Sequence, residues 1–473
     1  MEKKISIIHY IITALLIFGF QFLPPFGEMT SYGMGILGTF LGAVYGWSFI
    51  NMIWPSLVAL FGLGLQIGMP TMLANSFGNP AVAMMFAAFP MMAVLSDLHI
   101  TELLANKFLT NKLALGRPWV AIILLFLGAY ATAFINSILS ILIFATFVIQ
   151  LCKKLEIPPY SKFPTTVLMG LAYSIMLGQI IVPFFGTGLM FTAAYNGMFH
   201  EVLSYAQFML FIIPLGIAMV FMYVLVMRFI LRVDVSPLKK MTNNMQGSTQ
   251  KMSRDQKLAS LCFVAFIVVL LLSSVLPVDT LLYKALSKTT IFGIAIIFVV
   301  LMMILKREDG KPLLNYTAMA AQGFAWEPFF LTAYVMVISS YLTSADTGLN
   351  ATIASLVTPM TQLPPMLFIV SVLLFAAIVT NIANNVVLAI IIMPILHNFA
   401  SMVGIESTGL ILLLFISTQL ALATPGASPI TGIACAQSEI VKSKDFAKTS
   451  LIILPTLFII TLILGIIWMK IVF

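Results

Sequence analysis

The side chains able to do chemistry in this sequence are few, neutral and gathered at interruptions in apolar runs. Asn136 and Ser137 lie within FINSILSILIF (134–144), and Asn384 and Asn385 within IANNVVLAIIIMPIL (382–396), with Asn381 just before it. Two further interruptions, VPFFGTG (182–188) and ATPGASPITG (423–432), combine Gly and Pro with the hydroxyls of Thr187 and Ser428. Amides and hydroxyls offer neutral oxygens to a cation and N–H or O–H donors to a carboxylate. No Lys or Arg falls in any of these four segments, so an anion there is held by dipoles, amides and hydroxyls. An intramembrane enzyme needs paired acids, a Ser/His pair or a His/Asp cluster. The four His (His9, His99, His200, His397) are scattered without ligand spacing, so the chain does not read as an enzyme.

The remaining polar residues are ambiguous. Asp97, Glu102 and Asp346 are the acids nearest the membrane interior, where ionisable groups are functional candidates. Each Asp also closes an apolar span beside polar neighbours, which suits an interfacial position equally. Gln179, next to Gly178, could line a site or bridge helices. His397 follows Pro394 at the exit of an apolar run and reads as structural. Trp47, Trp54, Trp119, Trp326 and Trp468 read as interfacial anchors.

The elements that position these groups follow from composition. Of 473 residues, 61% are hydrophobic and 8% charged, and the mean hydropathy is +1.09. A soluble domain carries about a quarter charged residues. Runs at 209–232, 259–276, 289–305 and 449–472 approach or exceed the ~20 apolar residues that cross a bilayer. The first apolar stretch is followed by FLPPFGE, not by a small-residue cleavage site, and reads as a retained span. Cys152, Cys262 and Cys435 show no paired spacing and suggest neither disulfide nor metal site.

The net charge of +8 is not a nucleic-acid signal, because the basic residues cluster in short loops. Lys3 and Lys4 (beside Glu2), then Lys239 to Lys257, Lys306 to Lys311, and Lys442 to Lys448 form four groups. Placing all four in the cytoplasm gives a consistent path that ends outside. The chain divides into an N-terminal membrane half (1–233, a first span plus repeat 1), a cytoplasmic linker (234–257) and a C-terminal half (258–473, repeat 2).

The halves share a pattern. NPAVAMMFAAFPMMAVLSDLHITELLANKF (79–108) and EPFFLTAYVMVISSYLTSADTGLNATIASLV (327–357) each begin with a residue before Pro and pass an Asp into an amphipathic stretch. Asp97 precedes Asn136 by the same interval as Asp346 precedes Asn385, and a Gly/Pro/hydroxyl interruption follows in each half. The run at 119–151 is too long for one span, and a re-entrant hairpin with its tip near Asn136 fits it; 365–398, with Asn381, Asn384 and Asn385 at the tip, fits likewise. Repeats with broken helices mark secondary transporters. The fold class expected is an all-α polytopic membrane protein of two inverted repeats, each with a re-entrant hairpin and a broken transmembrane helix. A non-helical backbone in hydrocarbon must line a cavity or be buried in protein, so two tips facing two breaks make one midplane site.

At these residues the sequence resembles the divalent anion–sodium symporter family of the ion transporter superfamily, over roughly 36–470. Ile135-Asn136-Ser137 and Asn384-Asn385-Val386 match the family's Ser-Asn-Thr tips, and Pro394-Ile395 its Pro-Ile. Gly186-Thr187 and Ala427-Ser428-Pro429 occupy its turns, and Asp346-Thr347-Gly348-Leu349 its short Gly-Leu motif. The resemblance implies one sodium site from Asn136, Ser137 and Gly186 and another from Asn385, Ala427 and Ser428. It implies substrate contacts from Asn136, Ser137, Thr187, Asn384, Asn385 and Ser428. It further implies sodium as coupling ion, a small di- or tricarboxylate substrate, a homodimer in the plasma membrane, and elevator-like alternating access. Two departures stand out: Val386 for the signature Thr, and Thr187-Gly188 where Thr-Pro is usual. A sodium–proton antiporter, working through Asp97, Asp346 or His397, or an inorganic oxyanion carrier of the same architecture is the alternative.

Overall fold

The computed structural model describes residues 7–199, 203–240, 251–277, 279–362 and 364–473. Glu2, Lys3, Lys4, His200 and the 241–250 part of the expected linker lie outside the described residues. The described chain is all-helical, with no strand. Helix α1 (Ile7–Ala14) continues as a wider and then a tighter turn to Phe22. Then come α2 (Ser31–Phe49), α3 (Ile53–Ile67), α4 (Met69–Asn75), α5 (Pro80–Asp97), α6 (Ile100–Leu109), α7 (Pro118–Ala133), α8 (Ser137–Lys154), α9 (Lys162–Gly178), α10 (Gly186–Phe199) and α11 (Tyr205–Leu225). The second half runs α12 (Arg254–Val275), α13 (Leu281–Ile304), α14 (Tyr316–Gly323), α15 (Trp326–Leu342), α16 (Leu349–Val357), α17 (Pro365–Val379), α18 (Asn385–Val403), α19 (Ser407–Ser417), α20 (Pro429–Cys435) and α21 (Ser443–Val472).

From α2 and from α12 the same order of element types unfolds. Two helices and a short one lead into a long helix (α5, α15), a short amphipathic one (α6, α16), a hairpin (α7–α8, α17–α18), a broken helix (α9/α10, α19/α20) and a closing span (α11, α21). Seven described helices are long and apolar enough to cross a membrane. The amphipathic helices even start alike, each after a left-handed residue, His99 before α6 and Gly348 before α16. Helix α12 begins at Arg254 behind a Ser253/Gln256 capping box, so it takes up the last residues of the expected linker.

In lipid every backbone group needs a partner inside the protein, and two prolines show how that is met. Pro90 cannot donate to the Phe86 carbonyl one turn back, and the Tyr316 hydroxyl donates to it instead, at 2.9 Å. Pro214 leaves the Leu210 carbonyl without its usual donor, and the Trp468 indole N–H supplies one at 3.2 Å. Each rescue joins two elements far apart in sequence.

Helices form two packing groups. α5 packs on α13 and α14, and α3 on α2 and α15; separately, α7, α8 and α20 pack on α9, α17 and α18 on α19, and α11 on α21. The main bridge between the groups is α10 against α15. Within the second group Phe191 of α10 stacks on Phe415 of α19, 4.0 Å between centroids, so the halves interlock through their broken helices.

Two expectations change. Trp47 is buried, bonded to the Ser56 hydroxyl at 2.9 Å and edge-on to Tyr334, and is a packing residue instead of an interfacial anchor. Asp97 is the last residue of α5, whereas α15 ends at Leu342 and Asp346 sits in the following turn, so the two acids are not structurally equivalent. The three cysteines are buried thiols.

Candidate functional site

Each hairpin turns at a short non-helical tip, and the tip asparagines start the returning helix. Asn136 caps α8: its side-chain oxygen accepts the Leu139 N–H at 2.9 Å. At the second tip the cap is Asn384, which accepts from Val386 and Val387 N–H at 3.1 and 3.2 Å. By capping, Asn136 therefore pairs with Asn384 and Ser137 with Asn385, one residue away from the register that equal spacing gave. Asn385, released from capping, has its side-chain oxygen 3.0 Å from the Thr380 hydroxyl.

The broken helices face these tips. Helix α10 opens at Gly186, whose φ of +47° favours glycine. A Cβ on Gly188 would run into the Val182 carbonyl. That close approach holds position 188 to glycine. In the second break, Ser428 caps α20 by accepting the Thr431 N–H at 3.0 Å, and the Thr431 hydroxyl reaches back to the Ala421 carbonyl at 2.7 Å.

Two cavities lie between tips and breaks. The larger, about 490 Å³, is lined by Asn136, Ser137, Gln179, Gly186 and Thr187, and reaches Ser96 and Asp97 at the end of α5. The smaller, about 200 Å³, is lined by Asn384, Asn385, Val386, Ala427 and Ser428, together with Ser137, Gln179 and Thr187. Ser137, Gln179 and Thr187 belong to both cavities, so both halves contribute to one continuous region. The structure thus brings together Asn136, Ser137, Gly186, Thr187, Asn384, Asn385, Ala427 and Ser428.

The electrostatics are those of helix ends. The N-termini of α8, α10 and α18 carry N–H groups without intrahelical partners and the positive end of the dipole, while the C-terminal ends of α7, α9, α17 and α19 present carbonyls. Asp97 is the one titratable side chain in either lining, and Arg307 holds it at 2.8 Å. Asp346 bonds through its backbone to Thr30 on a surface turn, and His397 of α18 stacks on Phe199 at the end of α10. Glu102 pairs with His99 at 3.1 Å. Among the described residues no cluster of His, Cys, Asp and Glu could hold a metal ion.

Sequence reasoning missed Gln419 and Thr380 and left Gln179 open. The signal for the glutamines was available: each follows the last turn of a broken helix, as Gly178-Gln179 and Thr418-Gln419. Thr380 closes α17 as Thr132 nearly closes α7, a match visible only once the helix ends are known.

Two family models match the chain. The citrate transporter model covers residues 36–316, and the model of the sodium:sulfate symporter transmembrane region covers residues 187–473. In fold the chain is similar to the YdaH transporter of Alcanivorax borkumensis, known from a crystal structure described as having an unusual topology. The TM-score is 0.54 at 13% identity, covering 86% of this chain and 88% of that one. No curated protein matches in sequence.

Proposed function

The chain belongs to the divalent anion–sodium symporter family, and from that premise we propose that it couples inward sodium movement to uptake of a small di- or tricarboxylate by elevator-like alternating access. It is a multi-pass membrane protein and a secondary transporter of the anion–sodium symporter type. The observation that carries the finer reading is the convergence of both tips and both breaks on two cavities with three shared residues.

In this reading the anion lies against the N-termini of α8, α10 and α18, with the hydroxyls of Ser137, Thr187 and Ser428 and the amides of Asn136, Asn384 and Asn385 as donors. One sodium is held by Asn136, Ser137 and Gly186, the other by Asn385, Ala427 and Ser428. Neutral oxygens and helix-end carbonyls fit this ion, and an amide oxygen already accepting one hydrogen bond retains a second lone pair for it. The halves act as inverted repeats, each with an odd number of crossings. The positive-inside rule puts Lys306, Arg307 and Lys311, and with them the Asp97 end of the larger cavity, in the cytoplasm. The described conformation is then inward-open, the C-terminus is outside, and the plasma membrane is the location. The body containing both hairpins slides against the one containing α5 and α15, the latter supplying the contact between two protomers.

Proton antiport is disfavoured because the one acid lining the cavities is already paired with Arg307. An inorganic oxyanion is the second reading, since Val386 removes a hydroxyl from the second tip.

Purified protein in proteoliposomes tests both readings, with labelled succinate, malate, citrate and sulfate offered with and without an inward sodium gradient. Sodium-dependent accumulation of a carboxylate supports the proposal, and accumulation of sulfate alone transfers it to the second reading. No accumulation, with sodium-dependent proton movement in the same vesicles, overturns symport.

A further inference from the structure

Two glutamines stand at matching places in the broken helices. Gln179 is the first residue after α9 and Gln419 the second after α19. They meet across the site, Gln179 Nε2 donating to Gln419 Oε1 at 3.5 Å. Their surroundings differ: Gln179 is half-buried and lines both cavities, whereas Gln419 is fully buried and lines neither.

A buried amide is costly unless its polar atoms are met, and those of Gln419 are met in a directed way. Its Nε2 donates to the Phe415 carbonyl at 3.1 Å and to the Thr418 hydroxyl at 3.3 Å. The Thr418 carbonyl faces the Thr380 hydroxyl at 2.7 Å, and that same hydroxyl faces Asn385 Oδ1 at 3.0 Å. Two sets of hydrogen bonds therefore meet at Thr418, one through its hydroxyl and one through its carbonyl, and together they link Gln179, which shares the larger cavity with Asn136 and Gly186, to Asn385 at the other tip.

The link has a point of choice at Thr380, because a hydroxyl carries one proton and two acceptors compete for it. A cation drawn to Asn385 Oδ1 repels that proton and turns it fully onto the Thr418 carbonyl. This fixes the turn that carries Gln419, and through Gln419 Oε1 the orientation of the Gln179 amide. The Gln179–Gln419 bond is long for a hydrogen bond, so the Gln179 amide is the element that can take two settings.

Resting on the symport reading above, we propose that the Gln179–Gln419 pair couples the two half-sites, so that filling one cation site favours filling the other. Both glutamines are positioning residues here: they act through the tip and break residues and not on the ion itself.

The test is equilibrium binding of radioactive sodium to the purified full-length protein at constant ionic strength, balanced with choline chloride. Wild type, Gln179→Leu, Gln419→Leu and the double variant are compared. Wild type is expected to bind cooperatively, with a Hill coefficient approaching the number of sites, about 2. Each single variant is expected to keep the binding capacity, drop to a Hill coefficient of about 1 and need about 5-fold more sodium for half-saturation. The double variant is expected to do no worse than either single, since the two residues form one link. A purely structural role lowers capacity or stability without changing the steepness. Should Gln419→Leu fail to fold, Gln179→Leu, whose side chain borders open cavity, carries the comparison. Single variants as steep as wild type overturn the coupling and leave symport standing. A wild type that binds no sodium overturns symport and the coupling with it.

Discussion

The two hairpin tips have the same shape and are held in different ways. The second is stitched to its neighbouring break by directed bonds. Thr380 reaches the Thr418 carbonyl, Asn381 Oδ1 accepts the Ala423 N–H at 2.7 Å, and the Thr424 hydroxyl donates to the Asn381 carbonyl at 3.0 Å. At the first tip the corresponding bonds stay inside the hairpin, Asn136 to Leu139 and Ser140 to Thr132. Besides its packing on α9 and α20, it has an aromatic contact: Phe134 and, from the first break, Phe185 both stack on Phe263 of α12, with centroids 6.2 and 5.6 Å away. Hydrogen bonds fix distance and angle, whereas ring packing tolerates offset geometries. The larger cavity lies on the first side. On the symport reading proposed above, the second tip is the fixed template and the first is the side that adjusts as the site opens.

The harshest challenge to this comparison is to remove each tip amide. Asn136→Ala and Asn385→Ala are each expected to abolish sodium-driven uptake, by about 100-fold or more, while the protein remains folded and inserted as judged by gel filtration. Near-normal uptake by both variants removes the proposed site. A sharper contrast comes from one methyl group in each break. Gly188→Ala pushes a Cβ into the Val182 carbonyl and is expected to cut uptake about tenfold or more. Gly426→Ala meets nothing nearer than Thr424 at 4.0 Å, and uptake should stay within about twofold of wild type. Equal losses at the two positions would mean that the breaks are equally constrained.

Stability separates the tips next. Asn381→Ala leaves the Ala423 N–H without its partner and removes the amide's bond to the Ala377 carbonyl, while the Thr424 bond to the backbone carbonyl is kept, a cost of about 1–3 kcal/mol. Ser140→Ala loses one bond between hydroxyls within the hairpin, about 0.5–1.5 kcal/mol. Thermal unfolding in detergent should therefore show the larger fall in melting temperature for Asn381→Ala. The reverse order contradicts the template role of the second tip.

Much of this arrangement was legible because membrane-embedded sequence is restrictive. In a chain 61% hydrophobic, Asn136, Asn384 and Asn385 in the middle of apolar runs need a structural reason. The segment at 119–151 exceeds a single span and had to turn back, which it does between Ala133 and Ser137. What the sequence hid was register. Counting from Asp97 and Asp346 paired Asn136 with Asn385, but α15 stops at Leu342, so the two intervals include different lengths of turn. Capping decides the pairing, and Asn, Ser and Thr all cap well, so no single letter marks the position. Trp47 was misplaced for a related reason. An indole suits an interface, yet it also suits a buried site that offers an acceptor, here the Ser56 hydroxyl. Gln419 escaped notice because it touches no cavity and acts only through neighbours that are themselves far apart in sequence.

The smallest expected effect concerns the one acid that borders the site. Asp97 lies on the rim of the larger cavity, on the side of the first tip, with its side chain 36% exposed and paired to Arg307 at 2.8 Å. A partly exposed pair of this kind contributes about 1 kcal/mol, and Arg307 keeps its bonds to the Leu313 carbonyl at 3.3 and 3.1 Å when the carboxylate is neutralised. Asp97→Asn should therefore change sodium-driven uptake by no more than about threefold. Proton coupling instead requires a titratable group exposed alternately to the two sides, and Asp97 is the lining residue able to serve. Abolished transport in Asp97→Asn, with the tip variants unaffected, would move the working chemistry from the neutral amides to this carboxylate and make the first half a proton path in place of an adjustable anion site.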